Sequence, residues 1–472
     1  MAGIGFRLQK LLSGESYTEL VKAFLYSSFI VSGPMLVVIL SLALINQATE
    51  VRLTIEEKNL MMGLVVYIYA FSMVGVGPIL YVVTRYLADM YYLKKVETFA
   101  PTYMAALQLV FAYQLVIGIA FLTILPLTLM EKWIVLSLYL MINGVWVAMV
   151  FLSAARHYNW IFAAYAIGAV MGIGTAMAIG RSVGFTGFLA GYTVGQGICF
   201  GILTFRIFKE FGFDGSTDYG FLKYFRQHYY LALVGLCYYL GIWADKVLFW
   251  FSPGGKIITT GIRILPDYDT PMFLSFLTII PSMAFFLVQM ETSFVKYFRA
   301  YYDSIRNRED LQTIRACKDV MILNLTQQFQ KFVLFQGLFS GVIILSIYEI
   351  AEAFFLNPYQ IGIFRIGILG AFLLMGYAMI INILFYFDFQ KDVFYLTLLF
   401  LVSNVALTWW TLKIGLPAYG FGFAGASFIS VLAGVLLMDY RIKDVYYYTF
   451  MKQPIIVPHF KLEAEWVKPV SP

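Results

Sequence analysis

Runs of about 20 apolar residues recur along this whole chain, each long enough to cross the roughly 30 Å hydrocarbon core of a bilayer. No other feature restricts the fold so much, because backbone in lipid must satisfy its own hydrogen bonds and a helix does this within one segment. Composition points the same way. Only 13% of the residues are charged and 61% are hydrophobic, against roughly 25% charged in soluble domains. The expected fold is an all-α, multi-pass membrane protein. Spans are predicted near 23–45, 60–83, 99–127, 133–152, 160–179, 183–205, 229–251, 272–290, 334–350, 361–386, 393–412 and 415–438, twelve in all.

Lys and Arg set the orientation. With the N-terminus inside, 24 of the 33 fall on the cytosolic side and 7 on the opposite side, leaving Lys246 and Arg365 within spans. Both termini are therefore expected in the cytosol, and no cleaved signal peptide is read at the start. The formal charge of +6 is mostly an inner-face property and needs no nucleic acid to explain it. Three cysteines, Cys199, Cys237 and Cys317, do not suggest a disulfide framework.

An internal repeat organises the chain. GFTGFLAGYTVGQGICFGIL, from Gly184, resembles GFGFAGASFISVLAGVLL, from Gly420; aligning Gly187 with Gly422 sets Phe188 opposite Phe423. The two segments lie six spans apart and run in the same direction, as parallel duplication would place them, and parallel repeats are a transporter design. The expected plan is two related six-helix lobes, 1–205 and 229–438, around a central cavity. A linker at 206–228 joins them, and a tail at 439–472 follows. The charged stretch 295–331 reads as an amphipathic surface helix with an extension of span nine. Gly420, Gly422 and Gly425 also match G-x-G-x-x-G, but at the head of a membrane span rather than in a soluble βαβ unit, so no dinucleotide site is expected.

Prolines interrupt three spans. Gly33-Pro34 in span one, Gly77-Pro78 in span two and Pro281 in span eight free backbone carbonyls and bend helices, either as packing kinks or as gating points for a central cleft.

The opening MAGIGFRLQKLL, the SGP of span one, the VGVGP of span two with TRYLADMYY after it, and the twelve-span plan resemble the Pel exopolysaccharide inner-membrane transporter subunit family (PelG-like). That family falls in the multidrug, oligosaccharidyl-lipid and polysaccharide exporter superfamily. The resemblance implies two six-helix lobes in a V and a cavity open alternately to each side. It also implies export of an amino-sugar exopolysaccharide through the bacterial inner membrane for biofilm matrix formation. A cytosolic Pel-type glycosyltransferase and other membrane subunits of a synthase complex are the implied partners.

Charges inside spans mark candidate chemistry, since a membrane-centre charge costs about 2.5–3.5 kcal/mol on insertion scales. Asp245 and Lys246 in span seven and Arg365 in span ten lie at similar depth. Adjacent helix residues point apart, so the expectation is that Asp245 faces inward to pair with Arg365 while Lys246 lines water or snorkels outward. Aromatic rings suit sugar faces, which makes Trp243, Trp250 and Tyr239 path candidates, with Tyr238, Trp409 and Trp410 beside them. Asp267 and Asp269, read as lying in an outer loop, and Glu291, at the inner end of span eight, could meet a cationic amino sugar. His157, His228 and His459 are not at ligand spacing, so neither a metal nor another cofactor is expected. Three other readings stand beside polymer export. They are an ion-driven multidrug or lipid-linked oligosaccharide flippase with Asp245 as its proton site, a membrane-embedded transferase, and a scaffold for other subunits.

Overall fold

The computed structural model describes residues 17–49, 52–155, 157–212, 215–289 and 293–451, with side chains from residue 32 onward. Twelve of its helices are long and apolar enough to cross a membrane. In order they are Tyr17–Thr49, Ile55–Tyr92, Phe99–Ile124, Leu129–Ala154, Tyr158–Val183 and Phe185–Phe211. Then follow Tyr229–Trp250, a two-part span eight (Pro266–Leu277 and Ile280–Gln289), Leu311–Leu345, Pro358–Tyr386, Gln390–Ile414 and Phe421–Lys443. The N-terminal dozen residues, Glu291 and the tail beyond Met451 lie outside the described residues.

Two boundaries and one connection differ from expectation for identifiable reasons. Span nine begins at Leu311, not near 334. Its first turns are the charged, amphipathic stretch, and Asp310 caps them by accepting from the backbone N–H groups of Gln312 and Thr313. Span eight begins at Pro266, six residues early, and breaks between Leu277 and Ile280, just ahead of Pro281. The connection after span seven is not a plain loop. Lys256–Thr259 and Ile262–Ile264 pair as an antiparallel hairpin around Gly261, whose φ of 90° favours glycine. This hairpin marks one face of the bundle, called the hairpin face below. The opposite one, where spans two, six and ten end, is the basic face. Spans two, four and ten start at the hairpin face with capping boxes, Thr54/Glu57, Thr128/Glu131 and Asn357/Gln360, which satisfy helix-end donors near the membrane surface.

Packing repeats with a shift of six spans. Spans one–five, two–four, four–six and five–six pack together, and so do seven–eleven, eight–ten, ten–twelve and eleven–twelve. Between the lobes, span one meets span eight and span two meets span seven, contacts that exchange under the same shift. The aligned glycines take equivalent places. A Cβ on Gly187 would lie 2.7 Å from the Ile179 carbonyl oxygen of span five, and one on Gly422 would lie 2.7 Å from the Thr408 Cα of span eleven. The tightest seam joins spans five and six, where Gly168, Gly172 and Ala176 face Gly191, Gly195 and Cys199 backbone to backbone, the close approach that small residues permit in lipid.

That seam sets a stability test. A Cβ at Gly195 would stand 2.6 Å from the Gly168 carbonyl oxygen, whereas one at Gly174 would meet nothing within 4 Å. Gly195→Leu should destabilise by at least about 1–3 kcal/mol through overpacking, seen as a lower thermal midpoint in detergent, and Gly174→Leu should leave the midpoint unchanged.

Candidate functional site

Asp245 is fully buried and Lys246 nearly so. They neutralise each other: the Lys246 ammonium reaches back along its own helix to lie 3.0 Å from both Asp245 oxygens and donates to the Ile242 carbonyl at 3.1 Å. The expected Asp245–Arg365 pair does not form. Arg365 is exposed on span ten, with its guanidinium 6.0 Å from the Tyr348 ring. Lys246 does not snorkel outward; it sits over the rings of Phe276 and Phe423 at 4.7 and 5.0 Å. Adjacent Cβ atoms do point apart, but four methylenes of lysine stem span the difference. Two groups from other spans complete the carboxylate shell. Tyr268 of span eight donates at 2.6 Å, and the Asn404 amide of span eleven lies at 3.5 Å while donating to the Gly241 carbonyl at 2.8 Å.

The cluster connects to the lobe interface. Tyr268 stacks on Phe249 at 3.8 Å. The next residue, the buried Trp250, stacks on Tyr67 of span two, with centroids 4.7 Å apart and planes 16° apart. The Trp250 indole donates to the Asp269 carboxylate at 2.9 and 3.0 Å, and Asp269 also accepts from the Leu265 N–H. Tyr67 locks the hairpin by donating to the Arg263 carbonyl at 2.9 Å while accepting from its N–H at 3.1 Å. Asp269 is therefore a clamp residue in the first turn of span eight rather than an outer-loop acid. Asp267 turns the other way, toward Asn357 and Gln360 at the start of span ten. Trp250 is core and not a sugar platform; Trp243 packs beside it at 6.2 Å. Trp409 and Trp410 face outward, Trp409 carrying the Lys413 ammonium on its ring.

Deeper along the same crossing, spans two and seven touch at Gly77 and Gly235, where a Cβ on Gly235 would lie 2.4 Å from the Gly77 carbonyl oxygen. Pro78 lies there within an unbroken helix, and the Gly75 carbonyl accepts from the Tyr113 hydroxyl. Gly33-Pro34 remains within an unbroken helix, with Gly33 against Phe162 of span five.

Toward the basic face lies a cavity of about 390 Å³ between the lobes. Tyr81 of span two and Tyr238 and Tyr239 of span seven supply aromatic walls, Tyr81 and Tyr239 meeting edge to face. Thr84, Arg85, Asn382, Asp388 and Gln390 supply its polar rim. Arg85 crosses the mouth to Asp388, in the turn after span ten, at 3.1 Å, and contacts Asp89 on its own helix at 3.4 Å. Gln390 steadies Asp388 at 2.7 Å and meets His228 at 3.1 Å. The linker helix Phe221–Gln227 joins this network through Tyr224, which donates to Asp89 at 3.1 Å. Burial, then the facing Asp89 carboxylate, push the Tyr224 hydroxyl up to about 12, so it stays a donor at neutral pH.

Of the residues marked from sequence, Asp245, Lys246, Trp243, Trp250 and Asp269 gather near the hairpin face, while Tyr239 lines the cleft. Arg365 and Asp267 join neither group. Sequence reading missed Tyr67, Tyr268, Asn404, Tyr81 and the Arg85–Asp388 pair. Asn404 and Thr408 carried a usable signal, two polar residues four apart in mid-span that hydrogen-bond to each other at 3.1 Å.

A family model described as PelG, "Putative exopolysaccharide Exporter (EPS-E)", matches residues 1–450. The chain belongs to this exopolysaccharide exporter family. None of the curated proteins matches it. Among solved structures, an outward-facing multidrug resistance MATE family transporter of the MOP superfamily is similar at 16% identity, with a TM-score of 0.61, over 93% of this chain and 98% of that one. A MOP superfamily transporter from Pyrococcus furiosus Vc1 gives 15% identity and a TM-score of 0.63 over the same shares. An inward-facing MATE transporter gives 13% and 0.59 over 86% and 95%. At such identities these structures establish the fold. The exporter family member is thus a multi-pass transmembrane transporter of two related lobes.

The ion pair makes a discriminating prediction. Asp245→Asn leaves a buried ammonium without its counter-charge and should cost about 3–5 kcal/mol, whereas Asp245→Leu with Lys246→Met should come near neutral. Arg365→Leu should stay within about 0.5 kcal/mol. Thermal unfolding in detergent reads all three, and equal losses at 245 and 365 would contradict the geometry.

Proposed function

We propose that this exporter family member moves an amino-sugar exopolysaccharide from cytoplasm to periplasm through the cleft between its lobes, for deposition in a biofilm matrix. The observation that carries this reading is the lining of the cleft. Three tyrosine rings offer flat apolar faces to sugar rings, and Thr84, Asn382, Asp388 and Gln390 offer hydrogen-bond partners to hydroxyl and amine edges. Asp388, the acidic group of the lining, lies at the mouth, where it is shared between Arg85 and an incoming polymer edge. The basic face, rich in Lys and Arg, is then cytosolic with both termini on it, and the bilayer is the bacterial inner membrane. A cytosolic glycosyltransferase delivers polymer at the mouth bridged by Arg85–Asp388, with further membrane subunits of a synthase complex around it.

An ion-driven flippase of drugs or lipid-linked oligosaccharides is the alternative, with Asp245 as its coupling acid. Lys246, Tyr268 and Asn404 already occupy that carboxylate, which favours a structural part for it and weighs for polymer export.

Reconstitution of the full chain with its glycosyltransferase in proteoliposomes, followed by assay of lumenal polymer with and without an ion gradient, tests the reading. Tyr239→Ala removes an aromatic contact of roughly 1–1.5 kcal/mol and should lower flux about tenfold, while Trp409→Leu should not change it. Arg85→Asp should impair export, and adding Asp388→Arg should restore part of it. Polymer appearing inside only when a gradient is imposed, with no effect of Tyr239→Ala, would favour the alternative.

A further inference from the structure

On the hairpin face, away from the cleft, a second cavity of about 560 Å³ opens within the first lobe. That volume falls in the range of about 300–1,000 Å³ typical of small-ligand sites. Two arginines from separate turns converge on it. Arg52 lies three residues beyond the end of span one, and Arg181 is in the last turn of span five. Gln47 is the other polar lining group, and the walls below are Leu44, Met177 and the buried Phe188. No carboxylate lines the cavity, and neither guanidinium is ion-paired among the described residues.

Two exposed guanidiniums without a counter-charge at one mouth suit an anion. Guanidinium matches phosphate in charge and in its paired donor geometry. The span ends put the arginines at headgroup depth, with an apolar slot beneath them. An anion with a hydrocarbon chain satisfies both parts; a free anion satisfies only the rim. A polymer bearing free amines would be repelled, which separates this cavity from the export path proposed above. We infer that the Arg52–Arg181 cavity binds an anionic phospholipid, its phosphate between the guanidiniums and its glycerol and chain against Leu44, Met177 and Phe188.

Native mass spectrometry of the full chain in detergent tests this with dioleoylphosphatidylglycerol, with dioleoylglycerol, which lacks the phosphate, and with inorganic phosphate, which lacks the chains. The expected result is retained phosphatidylglycerol adducts, little retention of dioleoylglycerol or phosphate, and about tenfold weaker phosphatidylglycerol binding by Arg52→Gln/Arg181→Gln. Arg52→Lys/Arg181→Lys, which keeps the charge, should hold an intermediate amount and controls for folding. Equal phosphatidylglycerol retention by the glutamine variant would overturn the inference. Dioleoylglycerol binding as well as phosphatidylglycerol would also overturn it, and so would phosphate alone binding as tightly. None of these outcomes depends on whether the protein exports polymer.

Discussion

In hydrocarbon, an apolar helix face gains almost nothing by leaving lipid for protein, so helices are held by close backbone approach and by polar groups that lipid cannot satisfy. This chain uses both, in separate places. Glycines set the distances at the span five–six seam and at the Gly77–Gly235 crossing. Polar side chains then fix which helices stay together. In the first lobe the set is neutral, with Gln114 bonded to Asn143 and to Tyr139. In the second it is charged, with Asp245 and Lys246 drawing in Tyr268 and Asn404 from spans eight and eleven. The duplicated scaffold is thus electrostatically unequal, and the charged lobe also bears the hairpin held by Tyr67.

The number and six-span periodicity of the helices were legible because they depend on one-dimensional quantities: run length and the position of small residues. Aligning Gly187 with Gly422 on sequence alone matched positions that pack alike on spans five and eleven. The pairing of Asp245 was not legible. Sequence gives the depth of a residue in a span but not its azimuth, and Arg365, at the right depth, faces away. The rule that helix neighbours point apart holds for Cβ atoms and fails for the end of a long stem such as that of Lys246. Asp269 was misplaced for a different reason. LPDYDTP reads as a loop by its prolines, yet Pro266 occupies the first turn of a helix, where a missing N–H costs nothing.

The cleft was hardest to foresee because its parts are scattered. Tyr81 and Arg85 come from span two, Tyr238 and Tyr239 from span seven, and Asp388 from the turn after span ten. The span two–seven crossing brings the first four together, and the Arg85–Asp388 pair adds the last. Arg85 and Asp89 sit in TRYLADMYY, which marked the family resemblance, and the structure gives that stretch a physical task at the mouth between the lobes.

The close approach of Gly77 and Gly235 sits where a fulcrum would be placed. Ten residues of helix, about 15 Å, separate it from Tyr67 on one side, and eight residues, about 12 Å, from Arg85 on the other. The stack and the Arg85–Asp388 bridge thus lie at nearly matched distances on opposite sides of the crossing, so any tilt of span two about it would displace both by similar amounts in opposite directions. A side chain as small as alanine at Gly235 would force these two helices apart while leaving the groups at both ends chemically intact.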